Sequence, residues 1–545
     1  MKIKPYLIDP LFLIAISGAV FYGSLDIYFV SENISHIEKA YNDFFSLVFT
    51  NFYFRPLYAI SLYFDRILWG ANYSGYHFSN LLLHVSNTLL VYYLALQILQ
   101  TRLIAITSAF LFLLHPIHSL SLFWISGRTD MLCSLFYLSA FILFVYYSNS
   151  NNRKYYYFSL CAFFLAMLAK EMAISLPLLV VAYFIIFDKS KLKERLWKSF
   201  RLSMGYILIV LSMILIRITF ISDSVFSSKD HSGISLTQLI KNAAVYLGLL
   251  IIPGGHIEIA GFLKANPAVF FILSAFALGG FVLSLLWIRK SKPLLFFTMF
   301  VLITLLPVLR LMMRWYLYIP SAGFCLALGY MLYRLYQSGA LWRKLAYVLA
   351  AAIFFSYAFF VSREQNRWIE AGEVSREISS QIAQVVVERR PEKCFFLNAP
   401  AELQEVPVFM YGLQSLINFR LREEFGYPDS VKIVPVSYIS FSKQEDMDKQ
   451  IIGKNDAGEF IISLELSDSH FIFPLHSEIY SKRTKLAEGL EVADIEFKSR
   501  IEKINARGEA IKLRAQIPET QTKEPKAPVL YYLNGNIYSD LSFQD

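Results

Sequence analysis

Charge is scarce in this chain, and cysteine is scarcer still. Asp, Glu, Lys and Arg together make up 17% of the 545 residues, against 56% hydrophobic ones, and the mean hydropathy is +0.46. So little charge excludes a disordered or nucleic-acid-coating chain and leaves a polytopic membrane protein as the class. The net charge of +9 does not reverse that exclusion. Much of it lies in short loops, namely Asn152-Arg153-Lys154, Asp188 to Arg201, Arg289 to Lys292 and Arg343-Lys344, where positive charge sets orientation. No nucleic-acid partner is expected. The four cysteines, Cys133, Cys161, Cys325 and Cys394, have no metal-ligand spacing and three lie in apolar spans, which argues against both zinc and disulfides. Self-similarity at the period of helical repeats is also missing.

What the chain has in abundance is apolar windows. The first, Ile8 to Leu25, follows Lys2 and Lys4 and lacks a small-residue cleavage site, so it reads as an uncleaved first helix entering from the cytoplasm. Further windows near the ~20 residues that cross a bilayer fall at 76–99, 103–120, 130–147, 155–169, 172–187, 201–221, 268–288, 293–310, 316–335 and 343–361. That predicts a multispan α-helical membrane protein of about 11 spans. Leu236 to Ile252 is ambiguous by hydropathy. Were it to cross, Arg289 to Lys292 and Arg343-Lys344 would face outward, so it is assigned as an outer or re-entrant helix. The amino terminus is then cytoplasmic, and the loop 26–75, the segment 222–267 and everything after Val361 lie on the far side. The missing repeats and missing paired outer cysteines fit a bacterial inner membrane.

Six cations contradict the usual bias by sitting at the outward ends of spans: Arg55, Arg128, Lys170, Arg217, Arg310 and Arg314. An anion held there would explain them, and a lipid phosphate is the simplest one. The loop 26–75 carries apolar residues at helical spacing, among them Phe44, Leu47, Leu57, Leu62 and Ile67, as interfacial helices roofing the spans would. It places Glu32 near its start and Arg55 near its middle, an acid and a base toward one outer cavity. In the second span His77, Asn80, His84 and Asn87 recur at spacings of three and four, on one helical face. Such a stripe either bonds neighbouring helices or lines a cavity.

Longer motifs make the reading more specific. Phe54-Arg55-Pro56-Leu57, Leu68-Trp69-Gly70 and Gly75-Tyr76-His77 through Asn80 and His84 to Asn87 are followed by His115-Pro116-Ile117-His118 and Trp124-Ile125-Ser126-Gly127-Arg128-Thr129-Asp130. Lys170-Glu171 with Pro177, and Tyr316-Leu317-Tyr318-Ile319-Pro320-Ser321, complete the order. This ordered set, over roughly residues 1–370, resembles the transmembrane and tetratricopeptide-repeat-containing O-mannosyltransferase family. The resemblance implies a C-type glycosyltransferase fold and transfer of a sugar from a polyprenyl or dolichyl phosphate on the non-cytoplasmic face. The family's acidic pair in the first outer loop matches Glu32 and Asn33, so only one acid is kept.

Chemistry on a lipid-phosphate donor needs cations to neutralise the leaving phosphate and one carboxylate to deprotonate an acceptor hydroxyl. Glu32 is the candidate base, and Arg55, Arg128, Lys170, Arg217 and Arg314 are the candidate phosphate contacts. Asn33, His77, Asn80, His84, His115, His118, Asp130, Glu171 and Tyr316 are expected to line the cavity. Direct displacement with inversion is expected. Arg314 is shifted by one place from the family's cation, which rotates it by about 100° if helical. Internal salt bridges of Arg128 with Asp130 and of Lys170 with Glu171 are the alternative to a ligand. A divalent cation could be held through Glu32, Asp26 or Asp130, although no ligand spacing demands one. The competing function is a non-catalytic membrane scaffold or lipid-linked-sugar carrier.

After Val361 the composition changes, and residues 362–545 read as an exported soluble domain. An amphipathic helix from about Glu370 to Arg389, with Val374, Ile378, Ile382 and Val385 on one face, comes first. Short β-rich runs follow: Cys394 to Leu397, Val406 to Met410, Val431 to Phe441, Glu459 to Leu466 and Val529 to Leu533. Asn534-Gly535 is a hairpin signal. The domain is therefore expected to be α/β or mainly β, with Lys482 to Arg507 as solvated surface and Pro518 to Pro528 as linker.

Overall fold

A computed structural model describes residues 4–49, 53–220, 235–252, 291–455, 457–465, 469–472, 488–493, 497–505, 509–517, 528–533 and 535–539. The chain divides into two compact units. One comprises Met1–Leu25, Lys39–Leu68 and Gly75–Gln365; the other comprises Asp26–Glu38, Trp69–Ser74 and Asn366–Asp545.

The first unit is helical. Six helices among the described residues are long and apolar enough to cross a membrane: Ile8–Asp26, Tyr73–Leu99, Ile125–Ser150, Leu192–Thr219, Arg314–Gln337 and Ala340–Arg389. The broken pair Arg102–Leu114 and Pro116–Phe123, bent by 46°, makes a seventh if it counts as one span. Shorter apolar helices are Glu171–Phe187, Leu236–Ile251 and Lys292–Val308, and Arg153–Ala169 fills the window 155–169. The expected span at 268–288 lies outside the described residues. Leu236–Ile251 has 16 residues, fewer than the ~20 a perpendicular crossing needs.

Proline sets the break in the pair. Pro116 has no N–H to continue helix Arg102–Leu114 and its ring would clash with the preceding turn. The chain restarts as the 3-10 turn Pro116–His118, with the His115 ring nitrogen accepting from the Ile117 N–H at 3.2 Å. Two helices beyond, Phe141 stacks on Phe296 with centroids 5.7 Å apart, one contact of an aromatic core that also takes in Tyr183 and Phe300. Gly127 is required where it stands, because a Cβ there would lie 2.5 Å from the Leu120 carbonyl oxygen and 2.8 Å from the Ser121 Cα.

The second unit is built on strands. One sheet runs Asn536–Ser539, Val529–Leu533, Lys393–Phe396, Lys432–Pro435, with the last three parallel. A second runs Val406–Pro407, Ala399–Leu403, Tyr438–Phe441, His470–Ile472. The third is antiparallel and five-stranded: Ile451–Lys454, Phe460–Ser463, Ala510–Gln516, Lys498–Ile504, Glu491–Ala493. The hairpin expected at Asn534-Gly535 forms, with Leu533 opposite Asn536 and Gly535 at φ 77. Within Lys482 to Arg507 the described residues include the strands Glu491–Ala493 and Lys498–Ile504, and on the second Lys498 and Arg500 face solvent while Ser499 and Ile501 turn inward. Pro518 to Ala527 lie outside the described residues.

Helix Ala340–Arg389 is one continuous element. Within the second unit it buries Val374, Ile378, Ile382 and Val386. The buried stripe thus runs at spacings of four and passes through Val386, whereas Val385 is half-buried. Segment Asp26–Glu38 is tied to the same unit: the Ser31 N–H donates to the Val408 carbonyl at 2.6 Å and the Ser375 hydroxyl to the Phe29 carbonyl at 2.7 Å.

Candidate functional site

Three cation–carboxylate pairs assemble in the helical unit, and none joins the neighbours that sequence order proposes. Lys170 reaches back to Asp130, its Nζ donating to both carboxylate oxygens at 2.7 Å. Arg55 forks onto Glu171, with Nη2 at 2.7 Å and Nε at 3.3 Å from its two oxygens. Arg128 Nη1 lies 2.6 Å from Asp65 Oδ2, and its Nη2 donates to the Tyr76 carbonyl at 3.2 Å. The other oxygen of Asp65 accepts from the Ser79 hydroxyl at 2.8 Å.

Local geometry explains the exchange of partners. Arg128 and Asp130 are two residues apart on helix Arg128–Ser150, and such positions do not share a face. Lys170 is extended, at φ −161 and ψ 141, just before the 3-10 turn Glu171–Ser175, so its side chain diverges from that of Glu171. Tyr316 joins the group from the other end of the unit's sequence, with its ring centroid 4.7 Å from Lys170 Nζ. Arg55, Asp130, Lys170, Glu171 and Tyr316 therefore form one cluster.

The three pairs differ in access. Side-chain exposure is 3% and 2% for Lys170 and Asp130, 1% and 8% for Arg128 and Asp65, but 14% and 42% for Arg55 and Glu171. Arg55 lies just before helix Pro56–Trp69, and Glu171 is the first residue of the apolar stretch Glu171–Phe187. Burial opposes the charge of Arg55, yet the Glu171 carboxylate outweighs it and keeps the guanidinium above its ordinary value. Arg217 is half-buried in the last turn of helix Leu192–Phe220, Arg314 is half-buried at the start of the turn Arg314–Leu317, and Arg310 is exposed.

The polar stripe of helix Tyr73–Leu99 is wholly buried. Asn80 donates to the carbonyls of Leu122 and Trp124 at 3.1 and 3.2 Å, where the chain passes from one short helix to the next. Asn87 donates to the Met131 carbonyl at 2.9 Å. His84 bonds the Leu113 carbonyl at 3.0 Å and the Tyr318 hydroxyl at 2.7 Å. The Leu113 and Leu122 carbonyls lie in the last turns of short helices, where no intrahelical N–H follows to meet them. His115 bonds the Leu250 carbonyl at 3.1 Å and His118 the Ser321 hydroxyl at 2.7 Å. His77 is 1% exposed. Asn80→Leu is expected to lower stability by about 1–2 kcal/mol through the loss of both bonds, which leaves the Leu122 carbonyl unmet while that of Trp124 keeps the Gly127 N–H, checked by thermal unfolding of the purified protein in detergent.

Glu32 and Asn33 belong to the second unit. Asn33 is buried at the start of helix Asn33–Asn42. Glu32 accepts from the Ser31 hydroxyl at 2.5 Å, and Ser31 itself has φ 51, a conformation that surrounding contacts must hold. No group of three or more His, Cys, Asp or Glu side chains placed to hold a metal ion occurs among the described residues.

Sequence reasoning missed Asp65. Its signal was a carboxylate on the apolar stripe of helix Pro56–Trp69, in line with the buried Tyr58 and Leu62. A charge at such a position demands a buried partner.

Comparison with known proteins bears out the resemblance read from the motifs. Residues 56–218 match the family model described as dolichyl-phosphate-mannose-protein mannosyltransferase. The chain is similar to protein O-mannosyl-transferase Tmtc1 of Drosophila melanogaster, 29% identical over 125 residues, 23% of this chain and 15% of that one. It is also similar to protein O-mannosyl-transferase TMTC2 of Mus musculus, 28% identical over 165 residues, 28% of this chain and 20% of that one. The chain thus spans a fifth or less of these curated relatives. Among solved structures, ArnT from Cupriavidus metallidurans bound to undecaprenyl phosphate aligns with TM-score 0.46 and 14% identity, over 79% of this chain and 86% of that one.

Proposed function

We propose that this chain transfers a sugar from a polyprenyl-phosphate-linked donor to a hydroxyl of a protein or glycan acceptor, on the non-cytoplasmic face of a bacterial inner membrane. The observation that carries this reading is the family match over residues 56–218, a stretch that includes the Arg128–Asp65 and Lys170–Asp130 pairs and the Glu171 partner of Arg55. In this reading the amino terminus is cytoplasmic and residues 362–545 form an exported domain.

The chemistry asks for two kinds of group. Glu32 takes the proton of the acceptor hydroxyl, whose oxygen bonds to the anomeric carbon as the bond from that carbon to the phosphate oxygen breaks. The phosphate leaves on its lipid, already a stable anion that cations hold and neutralise. Arg55, Arg128, Lys170, Arg217 and Arg314 are the candidates for that task. Access ranks three of them. A phosphate must displace or join a carboxylate already in place, and the partner of Arg55 is far more exposed than those of Lys170 and Arg128. Arg55 is therefore the first of the three to meet a phosphate, with the two buried pairs as its frame.

One observation favours a second reading, a scaffold or lipid-linked-sugar carrier. Each of the three cations is matched by an internal acid, as it would be in a site that no longer turns over. Donor turnover separates the two. Purified protein in lipid is given a panel of radiolabelled polyprenyl-phosphate sugars beside Glu32→Gln. Release of lipid phosphate that falls by at least about a hundredfold in Glu32→Gln, with unchanged unfolding temperature, supports transfer. A wild-type rate in that variant removes Glu32 as the base. Donor binding without release in the wild type leaves the carrier.

A further inference from the structure

A cavity of about 680 Å³ lies in the helical unit, away from the ion-pair cluster. Tyr147 on its wall is seventeen residues beyond Asp130 on helix Arg128–Ser150, about 25 Å along the axis. Arg153, also on the wall, opens helix Arg153–Ala169, whose far end meets Lys170, about 25 Å away. These separations approach the thickness of a hydrocarbon core. The cavity therefore opens at the membrane face opposite the cluster.

Its charge is unbalanced where the cluster's is not. Arg153, Lys198 and Arg201 line it against a single acid, Asp188. Among the described residues none of these three cations forms a salt bridge. Asp188 is occupied by the following turn, accepting from the Ser190 N–H at 2.7 Å and from the Ser190 hydroxyl. The wall is firm: the Tyr156 hydroxyl donates to the Leu202 carbonyl at 2.8 Å, bracing one helix against the next. Basic loop residues that only set topology need no concave, hydroxyl-lined setting. A basic recess between helix ends at the interface is suited to an anionic headgroup.

We propose that this cavity binds a phosphate group, supplied by a lipid headgroup in the leaflet opposite the ion-pair cluster. The inference is independent of the transfer reaction. It is tested on the full chain in a neutral detergent, titrated with short-chain phosphatidylglycerol, short-chain phosphatidylcholine or inorganic phosphate, with bound ligand counted by native mass spectrometry. Phosphatidylglycerol should bind in preference to phosphatidylcholine, about tenfold or more weakly in Lys198→Gln/Arg201→Gln and as in the wild type in Lys198→Arg/Arg201→Lys. Equal binding by the Gln variant, or equal binding of the neutral lipid, overturns the site. Inorganic phosphate binding as tightly as the lipid would keep the phosphate chemistry and overturn the lipid as its source.

Discussion

Asp130→Ala should lower stability by about 3–5 kcal/mol, among the largest losses any single substitution in the helical unit produces. The variant leaves the Lys170 ammonium 3% exposed with both of its carboxylate bonds gone. Burial on all sides keeps bulk solvent from replacing them, and the Tyr316 ring face 4.7 Å away compensates only part of the charge. The pair as a whole is a different matter. Replacing both members by apolar residues, Asp130→Leu with Lys170→Met, should restore most of the loss, because two desolvation costs vanish together. Unfolding temperatures of the wild type, the single variant and the double variant in detergent check this. A single variant that unfolds with the wild type would show that the pair is not buried as described. Donor turnover adds a second reading of the same set: a stable double variant without turnover places the pair in the chemistry and not only in the frame.

Gly412→Ala is the second large effect, expected to cost at least about 3 kcal/mol. Gly412 precedes helix Leu413–Phe425, and a Cβ there would overlap the Ser31 carbonyl oxygen, lie 2.6 Å from its carbon and 3.2 Å from the Glu32 Cα. These are backbone atoms, so no rotamer change relieves the clash. Nor can the segment shift freely, since the Ser31 N–H is held by the Val408 carbonyl and Ser31 is already in the left-handed region. The strain should therefore emerge at Glu32. Limited proteolysis of the purified protein would show new cleavage within 26–38, and under the proposed function turnover should fall toward that of Glu32→Gln. Intact wild-type protection and turnover in Gly412→Ala would refute the close approach.

Some of this was legible in the sequence. Spans announce themselves by length and apolarity, and the cations at their ends stand out against apolar surroundings in which charge is rare. Pairing was not legible. Adjacent charges such as Arg128 and Asp130 invite each other on the page, but helix geometry turns them apart, and the true partners come from elements 40 and more residues away. Asp65 was hidden for a related reason: its burial depends on the helix face, which emerges only when Tyr58, Leu62 and Asp65 are read together. In the second unit, strands with hydrophobic runs such as Val529–Leu533 were visible. Lys498–Ile504 was not, because the charges on its open face masked the inward alternation of Ser499 and Ile501. The polar stripe of helix Tyr73–Leu99 was seen as a stripe, but its acceptors are carbonyls on other elements far along the chain, and a periodicity cannot name them.

The break at Pro116 bears on how the protein is made. Helix Arg102–Leu114 has 13 residues, about 20 Å of rise, too little to cross a bilayer unaided. A translocating machinery would not recognise it as a complete crossing and would have to admit it together with the helix before it. One of its terminal carbonyls, that of Leu113, is met by His84, whose ring is in turn fixed by Tyr318, a residue synthesised 234 positions after His84. Until that late segment arrives, the early hairpin holds an incompletely anchored polar end inside the lipid. Nascent chains truncated before Tyr318 would then be the natural clients of membrane quality control.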